Sequence, residues 1–96
     1  MAAYLIAFVK VKDAQKMQEY AAQAGATFAP FGGAPLFRGK VVEMLAGRHD
    51  GQASLVAKFP DAKSAHDWYH SPAYQALVPL RDQAAEPTFF VVEEPN

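Results

Sequence analysis

The chain has 96 residues, 51% of them apolar, with nine basic side chains, ten acidic ones and no cysteine. A near-neutral balance excludes the basic footprint of a nucleic-acid binder and the polybasic run of an anionic-lipid binder, and the lack of cysteine excludes disulfides and thiolate chemistry. One domain, residues 1–96, is expected, and a chain this short buries only about 60–65% of its unfolded surface, so self-association would relieve a deficit.

The first element is "YLIAFVKV", Tyr4 to Val11. It is an almost continuous apolar run with β-branched and aromatic members, which reads as a strand covered on both faces. The apolar stretch is only about eight residues long, without a basic leader or a small-residue cleavage site, and is too short to span a bilayer. A cytoplasmic location and no membrane partner are therefore expected. Asp13 is a helix cap. The Ala-, Gln- and Met-rich stretch after it places Met17, Tyr20, Ala21 and Ala24 on one helical face. Gly25 is either a C-cap or a weak spot, and Gly32-Gly33 is a firm stop.

Leu36 to Leu45 reads as a second strand with a bulge expected at Gly39. Gly47 to Gln52, "GRHDGQ", is turn chemistry and predicts a hairpin. "ASLVAKFP" is a third strand that ends at Pro60, and Asp61 caps "AKSAHDWYH". Ser71-Pro72 puts a capping hydroxyl before a proline at the first helical position, so a second helical segment starts there and runs to about Ala85. Pro79 lies within it and should bend it near Val78. "PTFFVVEE" is the last strand. The order β-α-β-β-α-(α)-β predicts an α+β, ferredoxin-like βαββαβ sandwich with an antiparallel sheet in 4-1-3-2 order.

In such a fold the helices cover one sheet face. On the first strand Leu5, Ala7, Val9 and Val11 form one face, and Tyr4, Ile6, Phe8 and Lys10 the other. Both faces are apolar, and a large apolar patch marks an interaction surface. The simplest cover is a second copy packed sheet to sheet as a two-fold homodimer.

Three pieces now resemble a known family: "RG" and "VVEMLAG" (Arg38, Gly39, Val42, Glu43, Leu45, Gly47), Phe59-Pro60 closing the third strand, and "WYHSPAYQAL" with a later arginine (Trp68, Tyr69, Ser71, Pro72, Tyr74, Gln75, Leu77, Arg81). Over nearly its whole length the chain is similar to the small proteins grouped as domain-of-unknown-function family 1330, in the dimeric α+β barrel superfamily. The resemblance implies a ferredoxin-like protomer whose sheet packs on its twin to close a barrel. It implies no particular reaction and no cofactor, although related barrels include cofactor-free monooxygenases, isomerases and haem enzymes. The chain departs from the family pattern at Lys58-Phe59, where Glu-Phe is usual, at His49, where an aromatic is common, and at Phe8 and Ala53, where arginine is common.

Among candidate functional residues, His66 and His70 stand at i and i+4, a metal-ligand spacing. Two ligands are too few for a structural zinc, and the helix phase puts both off the core face, so no metal is expected. Trp68, Tyr69 and Tyr74 belong at core or pocket-edge positions. The strand phases place Phe8, Lys58 and Arg38 together on the barrel face. Two cations there need a counter-charge: Glu43, Glu93, a carboxylate of the second subunit, or a small anionic ligand. The ligand-binding candidates are thus Arg38, Lys58, Phe8, Trp68 and Tyr74. His49 and Glu43 are candidate acid–base groups. Three functions follow: a homodimer binding a small anionic or aromatic molecule beside the sheet, a cofactor-independent isomerase or monooxygenase, or a purely structural dimer.

Overall fold

The computed structural model describes residues 1–95. Strand β1 (Ala3–Val11) leads to helix α1 (Ala14–Ala24), which continues through two 3-10 turns at Gly25–Thr27 and Ala29–Phe31. Strands β2 (Ala34–Lys40) and β3 (Ala53–Phe59) follow, then the short helices α2 (Ala62–Tyr69), α3 (Pro72–Gln75) and α4 (Val78–Ala84), and strand β4 (Ala85–Glu93). The sheet order is β2-β3-β1-β4 with every neighbouring pair antiparallel. This is the expected ferredoxin-like arrangement.

Local chemistry accounts for the helix ends. The Asp13 carboxylate accepts from the Lys16 amide at 3.1 Å, and Asp61 accepts from the Ser64 amide at 2.7 Å. Hydrogen bonds from Ser64 hold the Asp61 carboxyl below its ordinary pKa. Ser71 Oγ donates to the Trp68 carbonyl at 2.7 Å and accepts from the Tyr74 amide at 3.2 Å, so one hydroxyl ends α2 and starts α3. Pro79 does more than bend the segment: the helix breaks after Gln75, and Pro79 takes a place in the first turn of α4, where its missing N–H costs nothing. Gly25 is a right-handed helical residue at φ −58°, whereas Gly32 is the left-handed stop at φ 73°.

The second strand departs from expectation. It ends at Lys40, and the register slips between Pro35 and Phe37, so the irregular residue is Leu36 and not Gly39. Val41 keeps one ladder bond to the Gln52 carbonyl, at 2.9 Å, and residues 42–50 then leave the sheet as an exposed loop. A period of two inverts when one residue is skipped. The bulge therefore reverses the facing of every later residue of β2.

Two faces result. Ala3, Leu5, Ala7 and Val9 are buried under the helices, with Ala57 and Phe59 beside them on β3. Phe28, Phe59, Trp68 and Tyr74 form the aromatic centre, with the Trp68 ring 4.8 Å from Phe28 and 4.4 Å from Tyr74 between centroids. On the other face Tyr4, Ile6 and Phe8 stand beside Lys58, Val56 and Ser54 of β3 and beside Val92, Phe90 and Thr88 of β4. No helix of the described residues is long and apolar enough to cross a membrane.

Candidate functional site

The helix layer is unevenly filled. Helices α2 and α4 pack on β1 and β4, whereas α1 leans on α4 and stands away from β2 and β3. The facing residues explain the gap: Ala21, Ala24 and Gly25 on the helix side and Ala7 and Ala53 on the sheet are too small to meet. They border a cavity of about 750 Å³. Its walls include Leu5, Met17, Tyr20, Phe28, Leu55 and Trp68, Gln18, Gln52 and Ser54 add neutral polar groups, and Arg38 and Lys40 stand on its β2 side. None of the described residues lining it is acidic. The volume falls within the usual range for a small-molecule pocket, and mostly apolar walls with a few polar groups are the usual construction.

The bulge at Leu36 decides which cation is here. Arg38 pairs with Leu55 and Lys40 with Ala53, both on the helix side, while Lys58 pairs with Tyr4 on the opposite face. The expected trio of Phe8, Lys58 and Arg38 is thus divided: Phe8 and Lys58 share the uncovered sheet face, and Arg38 lies across the sheet from them. Among the described residues neither Arg38 nor Lys58 makes an ion pair. Glu93 stands opposite Ala3, on the helix side, and is no counter-charge for Lys58. Glu43 is exposed on the loop after β2.

His49 returns to the uncovered face. Its ring lies 4.8 Å from that of Phe8, and Nδ1 accepts from the Gly51 amide at 2.7 Å. That bond places the proton of the neutral ring on Nε2, which sits 3.4 Å from Thr88 Oγ1. Neither His49 nor Glu43 borders the cavity. His66 and His70 are exposed, with ring centroids 4.3 Å apart, and no third carboxylate, thiol or imidazole joins them among the described residues.

Trp68 borders the cavity, and Tyr74 lies behind it at 0% exposure. The Tyr74 hydroxyl is 2.7 Å from that of Tyr20 and accepts from Arg81 Nη1 at 3.2 Å. The same nitrogen donates to the Tyr69 hydroxyl at 3.0 Å, and the guanidinium carbon lies 5.9 Å from the Tyr69 ring and 5.6 Å from the Phe89 ring. Burial, and then the neighbouring Tyr74, push the Tyr20 hydroxyl far above its ordinary pKa; burial raises Tyr74 as well. This network of Tyr20, Tyr74, Arg81 and Tyr69 went unrecognised as a unit in the sequence. Tyr74 and Arg81 lie on separate helices, α3 and α4, so their seven-residue spacing carried no reliable signal of one helical face. Tyr20 lies too far away in the chain for any such signal.

A model of the family described as "Domain of unknown function (DUF1330)" matches residues 2–95. No functionally curated protein matches the chain. Among solved structures it is similar to RPA0582 of Rhodopseudomonas palustris, a protein of unknown function, with a TM-score of 0.80 and 18% identity over 99% of this chain and 83% of that one. A dimeric ferredoxin-like protein of unknown function from Jannaschia sp. CCS1 gives a TM-score of 0.78 and 10% identity over 98% of this chain and 100% of that one. SnoaB, a cofactor-independent oxygenase from Streptomyces nogalater, gives 0.73 and 11% over 99% and 94%. At these identities the likenesses establish the fold.

Proposed function

The chain belongs to the DUF1330 family, which is defined without a reaction, and we propose on that footing that it is a homodimeric protein that binds a small, flat, apolar molecule carrying an acidic group. The observation that carries this is the cavity under α1. It offers apolar walls, an indole, two cations and no carboxylate. A ligand with an aromatic body fills the void that Ala7, Ala21, Ala24 and Ala53 leave, and its anionic group reaches Arg38 or Lys40. Arg38 keeps the ligand-steering part expected of it, on the helix side of the sheet. Trp68 forms part of the wall and Tyr74 supports it from behind. Phe8 and Lys58 belong to the uncovered face.

That face is where a second copy packs. Phe37 is 58% exposed, Phe90 42% and Val92 43%, and on the adjoining loop Val42 and Leu45 are 89% and 88% exposed. Surface of that kind on one protomer calls for a partner. A neighbour of the same fold is described as dimeric, which supports a dimer.

A second reading, cofactor-independent oxygenation or isomerisation in the same cavity, is favoured by the likeness to SnoaB. It requires an acid–base group at the ligand, and Tyr20, whose proton burial holds tightly, can stabilise an oxyanion there as a donor but is no base.

The test uses 8-anilinonaphthalene-1-sulfonate, an aromatic anion, followed by calorimetry and by its fluorescence, with light scattering on the same samples. The expected result is saturable binding of one probe per protomer to a dimer. Arg38→Glu should weaken binding by roughly tenfold, the change that about 1.4 kcal/mol produces, and leave the dimer intact. Unsaturable binding, or equal affinity in Arg38→Glu, contradicts the binding reading. A monomer at micromolar concentration contradicts the assembly.

A further inference from the structure

The hydrogen bonds around Tyr74 can be counted proton by proton. An arginine side chain donates and never accepts, so the bonds from Arg81 Nη1 to the Tyr69 and Tyr74 hydroxyls have a fixed direction. The contact between the Tyr20 and Tyr74 hydroxyls, at 2.7 Å, uses one proton, and the two residues own two. One hydroxyl proton is left over, and the direction of that single bond decides whose it is.

If Tyr20 donates, the leftover proton is on Tyr74. That residue is 0% exposed, and its two polar neighbours are then both donors to it. A buried donor without an acceptor costs about 1–3 kcal/mol. If Tyr74 donates, its oxygen accepts from Arg81, its proton goes to Tyr20, and nothing on Tyr74 is unsatisfied. The leftover proton is then on Tyr20, the member of the pair that borders the cavity. The second arrangement avoids the penalty whenever something in the cavity accepts. It also aligns the donors head to tail from a cation, and such a chain strengthens its terminal O–H as a donor.

We propose that the Tyr20 hydroxyl is a hydrogen-bond donor directed into the cavity, set in that direction by the chain Arg81 to Tyr74 to Tyr20, and that it selects ligands bearing a carbonyl or phenolate oxygen. This rests on the cavity being the binding site and adds what the site demands of its ligand: an acceptor oxygen, in addition to an apolar body. Tyr20 is the contact residue. Tyr74 and Arg81 are positioning residues that act through it.

Two probes of nearly one shape separate this donor from the cavity itself: 9-fluorenone, which has a carbonyl, and fluorene, which does not. Affinities are measured for the wild type, Tyr20→Phe and Tyr74→Phe, and the infrared carbonyl stretch of bound fluorenone is recorded. In the wild type the stretch should move to lower wavenumber than in a non-hydrogen-bonding solvent. Tyr20→Phe should abolish that shift and weaken fluorenone by roughly three- to tenfold, with fluorene affinity unchanged. Tyr74→Phe should keep part of the shift, because Tyr20 still donates but no longer receives a proton from Tyr74. Fluorene binding in each variant shows that the cavity is still formed. If fluorene binds throughout and the carbonyl stretch is the same in wild type and Tyr20→Phe, the donor assignment is wrong and the cavity reading survives. If neither probe binds the wild type while 8-anilinonaphthalene-1-sulfonate does, the donor assignment is wrong; if none of the three binds, the cavity reading is wrong as well.

Discussion

The two ends of the sheet are built on opposite principles. Over β1 and β4 the helix layer is filled: Trp68, Tyr74, Phe28 and Phe59 interlock, and Arg81 is wrapped by two aromatic rings and two hydroxyls. Among the described residues no buried side-chain polar atom lacks a partner. Over β2 and the Ala53–Leu55 start of β3 the same layer is open. Every residue of β2 is exposed, α1 stands off, and the apolar loop after Lys40 packs on little of its own chain. The filled end stabilises the protomer. The empty end carries the cavity and most of the uncovered apolar surface. Trp68 belongs to both, as part of the packed core and of the cavity wall; away from that boundary, substitutions should sort by the end they touch.

The largest effect is expected at the filled end. Trp68 is 2% exposed and contacts three aromatic rings of the core. Its indole N–H also donates to Thr27 Oγ1 at 2.8 Å. Trp68→Ala should cost about 3–5 kcal/mol, read as a fall in the urea midpoint, and a loss below about 1 kcal/mol would show that this end is not close-packed.

The next effect is a pH dependence. The Tyr20 and Tyr74 hydroxyls hold their protons more tightly in the folded chain than at the ordinary value of 10.0, burial being the main cause in both. Their contribution is therefore complete below about pH 10 and declines as pH rises from there, because the unfolded chain loses those protons first. Each tyrosine adds up to about 1.4 kcal/mol per pH unit to that decline. The denaturation midpoint of the wild type should fall more steeply above about pH 10 than that of the Tyr20→Phe, Tyr74→Phe double variant. Parallel profiles would mean that the pair is hydrated.

How far the molecule could be read from its sequence follows the same division. Strands β1, β3 and β4, the caps at Asp13, Asp61 and Ser71, and the break introduced by Pro72 depend on local chemistry and lie close to where they are expected, whereas β2 ends five residues early. Trp68 and Tyr74 were recognisable from helical phase and motif. Facing on β2 was misread, because a strand inverts at any bulge and no local feature distinguished Leu36 from Gly39 as the skipped residue. That one residue moved Arg38 across the sheet, away from Lys58 and Phe8 and onto the cavity. The cavity is a failure of two elements to meet, and small residues on α1 and β3 read equally well as close packing. Tyr20 joined the network only through a contact 54 positions away along the chain.

The smallest expected effect tests that misreading directly, by comparing two glycines. A β-carbon added at Gly33 would lie 2.5 Å from Phe59 Cε1, inside the aromatic centre, whereas one added at Gly39 would lie 3.8 Å from Ser54 Oγ, an ordinary contact. Phe59 is held by the rings of Phe28 and Trp68 and has little room to yield. Gly33→Ala should therefore cost about 1–3 kcal/mol. Gly39→Ala should stay within about 0.5 kcal/mol, as an exposed site on an edge strand allows. A bulge that needed glycine at position 39 would reverse this order, since a side chain there would strain the backbone and shift the register that carries Arg38. Equal and small losses at both sites would instead mean that the aromatic centre yields as readily as the edge, and the contrast between the filled and the empty end would fail at its sharpest point.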